Sequence, residues 1–205
     1  GLPLAAKLSF RGVAGTADPS FGNDGDLSGA GRFVWSGTGK FSRALPVGKY
    51  RVLATAGIER DAAEWTVDIG AGGTVQVGGS LPRVIRTPGW LSADFHLHQA
   101  PSVDADISFE QRLISVPAEG VELAVATDHY VVADLRPTLQ SLRTSGRLAT
   151  PVLTLPGTEI STTGHRFGHF GVFPLKPGDD IPFEDTTPKR LFADTSELGG
   201  IPDGA

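Results

Sequence analysis

Two imidazoles two residues apart, His96 and His98, sit in the run Asp94-Phe95-His96-Leu97-His98. The stretch from Trp90 to His98 reads as a strand. Side chains at i and i+2 of a strand point to one face, so His96 and His98 project together, with Phe95 and Leu97 on the other side. Neutral imidazole is the commonest metal ligand among side chains, which makes a His-x-His strand end a two-toothed chelator. Further donors follow downstream: Asp128-His129 directly after an apolar run, Glu159 in Pro156-Gly157-Thr158-Glu159, and His165 and His169 in the segment Gly164 to His169. All five histidines fall between positions 96 and 169, and the first 95 residues contain none. That asymmetry splits the chain into a half with chemistry and a half without.

The elements that must hold these donors follow a β-α-β-α-β-β order. After the His-x-His strand, a helix is expected to open at Ser108 as N-cap and to end or kink at Pro117, whose ring removes a backbone donor and clashes with the preceding turn. Val121 to Thr127 is a nearly all-apolar run of the kind that forms buried parallel strands. A second helix is expected from Pro137 to Gly146, with Pro at its start and Gly at its end. Pro151 to Leu155 and His169 to Leu175 read as the third and fourth strands. His98, Asp128-His129 and Glu159 then all fall at strand ends, and His169 at the start of the strand after Glu159. In parallel α/β folds the functional groups gather at the carboxyl ends of strands.

Residues 1–88 read differently. Short alternating runs at 6–10, 31–35, 40–45, 50–56, 64–69 and 73–77 are separated by Gly-rich turns, the pattern of an antiparallel β-sandwich. Trp35 and Trp65 are expected in its core. The acidic loop Asp18 to Asp26 has carboxylates that calcium sites use, but it lacks the closing bidentate Glu and reads as a turn-rich loop. Pro82 to Trp90, with Thr87-Pro88-Gly89 favouring a turn, marks the boundary between domains at 1–88 and 89–205, with Trp90 expected to pack at the junction.

Composition bounds the function. Of 205 residues, 40% are hydrophobic, enough for real cores, and the formal net charge is −5 with no basic run. That argues against nucleic acid as a partner. No apolar stretch approaches the roughly 18 residues of a membrane span. There is no cysteine, which excludes disulfides and thiolate metal sites. There is also no methionine, so the chain is read as processed or as a fragment. A secreted or periplasmic setting fits but is not assigned.

Asp94-Phe95-His96-Leu97-His98, Ala126-Thr127-Asp128-His129, Pro156-Gly157-Thr158-Glu159 and Gly168-His169-Phe170 resemble, in order and spacing, the first motifs of the PHP (polymerase and histidinol phosphatase) domain, and most closely its CehA/McbA group of metallohydrolases. Leu45-Pro46-Val47-Gly48-Lys49-Tyr50-Arg51-Val52 is similar to a hairpin of carboxypeptidase-regulatory-like, or prealbumin-like, domains, which precede some members of that group. The resemblance implies a multidomain β plus α/β chain: a prealbumin-like antiparallel β-sandwich, then the first part of a distorted PHP-type (β/α)7 barrel. It implies up to three divalent ions, zinc, manganese or iron. His96, His98 and Glu159 would hold one; Glu159 would bridge to a second, also held by His169; Asp104 and His129 would hold the third. Asp104 lies one position later than the usual family spacing, and Asp106 competes with it. Glu159 and Asp128 carry the catalytic assignments, Glu159 as the bridging ligand and Asp128 as a hydrogen-bonding residue that orients a neighbouring ligand. His165 has no counterpart and reads as a solvated loop residue. The later family motifs are absent, since no histidine follows His169, and the chain is therefore expected to be truncated at its C-terminus.

The function that follows is hydrolysis of an ester, amide or carbamate bond of a small molecule by a metal-activated water, with phosphoester hydrolysis as the alternative from the wider family. Few cations lie near the motifs (Arg112, Arg136 and Arg166), so no phosphate clamp is obvious. A reading from another class is a catalytically silent chain whose β-sandwich binds carbohydrate or a cell surface.

Overall fold

The structure is a computed structural model that describes residues 2–22, 30–182, 186–198 and 201–202. The chain divides into two compact units. One comprises residues 1–91 with segments 111–121 and 142–151; the other comprises 92–110, 122–141 and 152–205.

The first unit is built on a four-stranded antiparallel sheet in the order β2-β1-β3-β4, formed by β1 (Ala6–Val13), β2 (Phe33–Ser36), β3 (Gly48–Thr55) and β4 (Ala63–Ile69). Its register aligns the apolar positions on one face: Leu8 opposite Val34 and Ala54, Phe10 opposite Val52, and Tyr50 opposite Val67. These residues form one buried cluster, which is what a period of two in the sequence requires. Tyr50 also donates its hydroxyl to the Pro46 carbonyl at 3.0 Å, so the Leu45–Tyr50 turn is tied to the core by the residue that closes it.

Two expected strands are absent. Residues 40–45 and 73–77 alternate in sequence but form no strand. Almost all of these residues are exposed, so their alternation has no core to face. They contribute single apolar contacts instead: Leu45 and Val77 lie against the cluster, and Phe41 meets Phe10 edge-on. Trp65 packs against the cluster. Trp35 is only half-buried and donates its indole N–H to Glu119 at 3.2 Å. In the acidic loop, Asp18 accepts from the Gly12 N–H at 2.8 Å and pairs with Arg32, the role of a turn residue; positions 23–26 lie outside the described residues. Trp90 is 79% exposed, not packed as expected; it closes the turn at Thr87 with its backbone N–H.

Segments 111–121 and 142–151 belong to this first unit for visible reasons. Lys7 pairs with Glu119 at 2.7 Å, and the Ala5 N–H meets Thr150 Oγ1 at 2.7 Å. Gly57 and Gly120 approach so closely that a Cβ on Gly57 would stand 2.6 Å from the Gly120 Cα. Both have positive φ, 82° and 85°, so glycine is required at this crossing twice over.

The second unit contains a parallel sheet in the order β5-β6-β7, from β5 (Ala93–Leu97), β6 (Leu123–Ala126) and β7 (Leu153–Leu155). The helices α1 (Phe109–Ala118) and α2 (Arg136–Thr144) lie in the connections. Pro117 sits in the last turn of α1, which ends one residue later, as a residue without an N–H dictates. Ala124, Val125 and Ala126 are fully buried, which explains the unbroken apolar run.

A second sheet is antiparallel, in the order β10-β9-β8, from β8 (Thr158–Ser161), β9 (His169–Phe173) and β10 (Ile201–Pro202). β8 was not expected as a strand. It places Glu159 within a strand, not beyond the end of one. β8 is joined to the segment after β6 by a bridge between His129 and Glu159. A further helix, α3 (Pro188–Glu197), begins at Thr187, whose side chain caps the Arg190 N–H, and Leu191 on it enters a core with Ile160, Val172, Leu175 and Ile181. The architecture is thus mixed sheet and helix with an antiparallel first sheet. Among the described residues, no helix is long and apolar enough to cross a membrane.

Candidate metal centre

Glu159 lies at the middle of the donor residues. It is 3% exposed, on a strand all four of whose residues are buried. Its approach is fixed by Gly157, where a Cβ would stand 2.7 Å from the Val172 carbonyl and 2.8 Å from that of Ala126. Backbone oxygens cannot swing aside as side chains do, so only glycine lets the chain pass between β6 and β9 and deliver Glu159 to its place.

The two carboxylate oxygens of Glu159 face different partners. Oε2 lies 2.8 Å from His96 Nε2 and 2.8 Å from His98 Nε2, and those two nitrogens are 3.0 Å apart. Oε1 lies 2.7 Å from His169 Nδ1. His129 turns its Nε2 towards the same carboxylate at 3.8 Å. Three overlapping sets of donors result: His96, His98 and Glu159; His98, Asp104 and His129; and His129, Glu159 and His169, with the donor atoms of each set within 4.8 Å of one another.

The first set fits a divalent cation. An ion about 2.1 Å from each donor has neighbouring donors about 3.0 Å apart in an octahedral face and about 3.4 Å apart in a tetrahedron. The observed edges of 2.8, 2.8 and 3.0 Å match the former. Two imidazole nitrogens and one carboxylate oxygen also suit zinc, manganese or iron by ligand type.

Neighbouring residues hold the donors in position. Asp128 is fully buried and accepts the Gln99 N–H at 2.6 Å, fixing the backbone beside His98 from the residue beside His129. Thr127 Oγ1 accepts the Leu97 N–H at 3.0 Å. Ser161, two residues after Glu159 on β8, places its hydroxyl 3.2 Å from His129 Nδ1 and 2.8 Å from His169 Nδ1. Ser102 donates to Asp104 at 2.7 Å and accepts the His129 N–H at 3.1 Å. The two serines were not expected from the sequence; the i+2 spacing of Ser161 from Glu159 is the signal that would have found it.

The electrostatics follow from this crowding. Burial pushes the Glu159 carboxyl up, but the His96 hydrogen bond and the imidazole charges of His129, His96 and His98 outweigh it, and the group is held below its ordinary value. Hydrogen bonds from His98 and Ser102 hold Asp104 down to about 2. Asp128 moves the other way, because burial raises it more than its backbone donors lower it.

All six residues assigned to metal from the sequence, His96, His98, Asp104, His129, Glu159 and His169, therefore converge. Asp106 is exposed and joins none of the three donor sets. His165 is exposed but not merely solvated: its ring stacks on His169 with centroids 4.9 Å apart and 14° between planes, on a backbone with φ of 53°.

No family model and no curated protein matches the chain. Among solved structures, it is similar to a two-domain protein containing a predicted PHP-like metal-dependent phosphoesterase from Bacteroides vulgatus. The identity is 24% over 55% of this chain, with a TM-score of 0.39; the chain spans about a third (34%) of that protein's length. A superposition so loose carries no weight for the site, whose assignment rests on the side-chain geometry.

Proposed function

We propose that the cluster around Glu159 is the metal centre of a hydrolase, held by His96, His98, Asp104, His129, Glu159 and His169. The observation that carries this reading is the buried Glu159 carboxylate, with one oxygen on His96 and His98 and the other on His169. Glu159 would hold a cation with His96 and His98 through one oxygen and with His169 through the other, and such sites supply Lewis acidity in hydrolysis. A bound divalent ion would supply Lewis acidity and a water acidic enough to react near neutral pH. The chain's own part is to fix the donors, through Asp128, Thr127, Ser102 and Ser161, and to leave one side accessible: the His96 side chain is 68% exposed and that of His169 44%. The motif order similar to PHP domains of the CehA/McbA group supports the same reading, and with it a fold related to the (β/α)7 barrel of that family.

The substrate proposed is a small molecule with an ester, amide or carbamate bond. The nearby cations favour this over a phosphoester: Arg136 is engaged by Asp134 at 2.8 Å, and Arg166 lies over the Phe167 ring. The test is hydrolysis of p-nitrophenyl acetate and of bis(p-nitrophenyl) phosphate by the chain saturated with zinc or manganese. The expected result is ester cleavage that EDTA abolishes and added metal restores. Cleavage of the phosphodiester alone would move the substrate class, and cleavage of neither under metal saturation would contradict the reading.

A further inference from the structure

Resting on the metal-centre reading, we propose that Tyr130 and His165 form the subsite for a flat, unsaturated group next to the scissile carbonyl, so that the substrates are esters or amides of aromatic acids. Neither residue belongs to a donor set, but each ring lies against a donor imidazole. His165 stacks on His169 with centroids 4.9 Å apart. Tyr130 leans on His129 at 5.6 Å and 35°. His129 and His169 are themselves 5.6 Å apart. The four rings thus make one continuous run of contacts, with two donors inside it and an aromatic ring at each end. His129 and His169 are the donors that Glu159 joins into a set. A carbonyl polarised at that set has aromatic surface next to it for the group it carries.

Packing does not account for these two rings. Both residues have positive φ, 61° at Tyr130 and 53° at His165; among the described residues the only other non-glycine residue so placed is Ala14. Left-handed backbone is costly for a bulky side chain, and it persists where the surroundings over-determine it, often at functional sites. Main-chain hydrogen bonds do that here. The Tyr130 N–H donates to the Glu159 carbonyl at 3.1 Å, the His165 N–H to the Thr162 carbonyl at 2.6 Å, and the Gly168 N–H to the His165 carbonyl at 3.1 Å. These bonds hold the chain whatever the side chain is, and glycine would adopt the same φ without cost. The rings fill no core either: Tyr130 is 39% exposed and His165 is exposed. Nor are they needed to orient the donors, because the Ser161 hydroxyl already reaches Nδ1 of both His129 and His169. Each ring therefore offers exposed aromatic surface beside a donor, at a backbone cost that the fold alone does not require. Such surface favours a flat π-system over a saturated group of the same size.

The test is binding of benzoate, cyclohexanecarboxylate and acetate to the zinc-loaded full chain by isothermal titration calorimetry, after its zinc content has been measured. Benzoate and cyclohexanecarboxylate share the carboxylate and nearly the same size, but only benzoate is flat. Wild type is compared with Tyr130→Ala, Tyr130→Phe, His165→Ala and His165→Phe. Wild type is expected to bind benzoate more tightly than the other two acids. Each alanine variant is expected to lose benzoate affinity roughly 2–10-fold with acetate unchanged, and phenylalanine at the same position to restore it. Zinc content is expected to be equal throughout. A benzoate preference that survives in both alanine variants would overturn the proposal. So would zinc lost from either of them, since the ring would then act by supporting a donor. Wild type that takes up no zinc removes the metal-centre reading and the proposal with it. Zinc-loaded wild type that binds cyclohexanecarboxylate as tightly as benzoate removes the proposal alone.

Discussion

Glu159→Gln is expected to lose metal from both halves of the cluster in one step. The substitution preserves shape and burial but replaces an acceptor-only carboxylate with an amide that offers a single oxygen. His96 and His98 then share that oxygen with His169, or the amide nitrogen faces one side and repels the cation. We expect metal affinity to fall by at least about a hundredfold, more than is typical for residues that only support a ligand. The measurement is thermal unfolding with and without metal. At a metal concentration of about 100 times Kd the wild type gains roughly 2.7 kcal/mol; the same concentration, now near Kd, gives the variant about 0.4 kcal/mol. The metal-free proteins should unfold at similar temperatures, since the change also removes the cost of burying a charge. A metal-induced rise in Tm that survives in E159Q would show that Glu159 is not a ligand.

Asp128→Ala is expected to damage both fold and site. Asp128 ties the segment after β6 to the Gln99 N–H at the end of β5, so its loss orphans a buried backbone donor at a cost of roughly 1–3 kcal/mol. Gln99 adjoins His98 and Asp128 adjoins His129, so both imidazoles lose their anchorage together. Metal affinity should fall roughly 10–100-fold. Asp128→Asn retains an acceptor oxygen in the same place, and burial already pushes the native carboxyl towards its neutral form; it should therefore recover most of the stability. Denaturant unfolding of the two variants separates these outcomes, and equal destabilisation by Ala and Asn would contradict a hydrogen-bonding role.

The donors were legible in the sequence because strand geometry is local. An i, i+2 pair on a strand must share a face, and apolar runs that end in Asp-His or begin at His169 place polar groups at strand ends. β8 was not legible. Pro156-Gly157 suggested a loop, and Thr158 to Ser161 is too short and too fully buried to alternate; its strand character comes from pairing with β9, a tertiary contact. The converse error lies at 40–45 and 73–77, where alternation is present but no buried face exists to give it meaning. α3 carries a readable start in Thr187-Pro188, a cap followed by proline at the first turn. The supporting serines, Ser102 and Ser161, belong to no local pattern apart from the i+2 spacing from Glu159 to Ser161, and only the assembled site shows what they touch.

The most direct measurement is metal content by elemental analysis of the full chain after exposure to zinc and removal of the excess, wild type beside His96→Ala/His98→Ala. The account predicts bound zinc in the wild type, with at least the ion held by His96, His98 and Glu159 lost in the double variant. Equal zinc in both proteins, or none in the wild type, would contradict the assignment of His96, His98 and Glu159 as a metal centre.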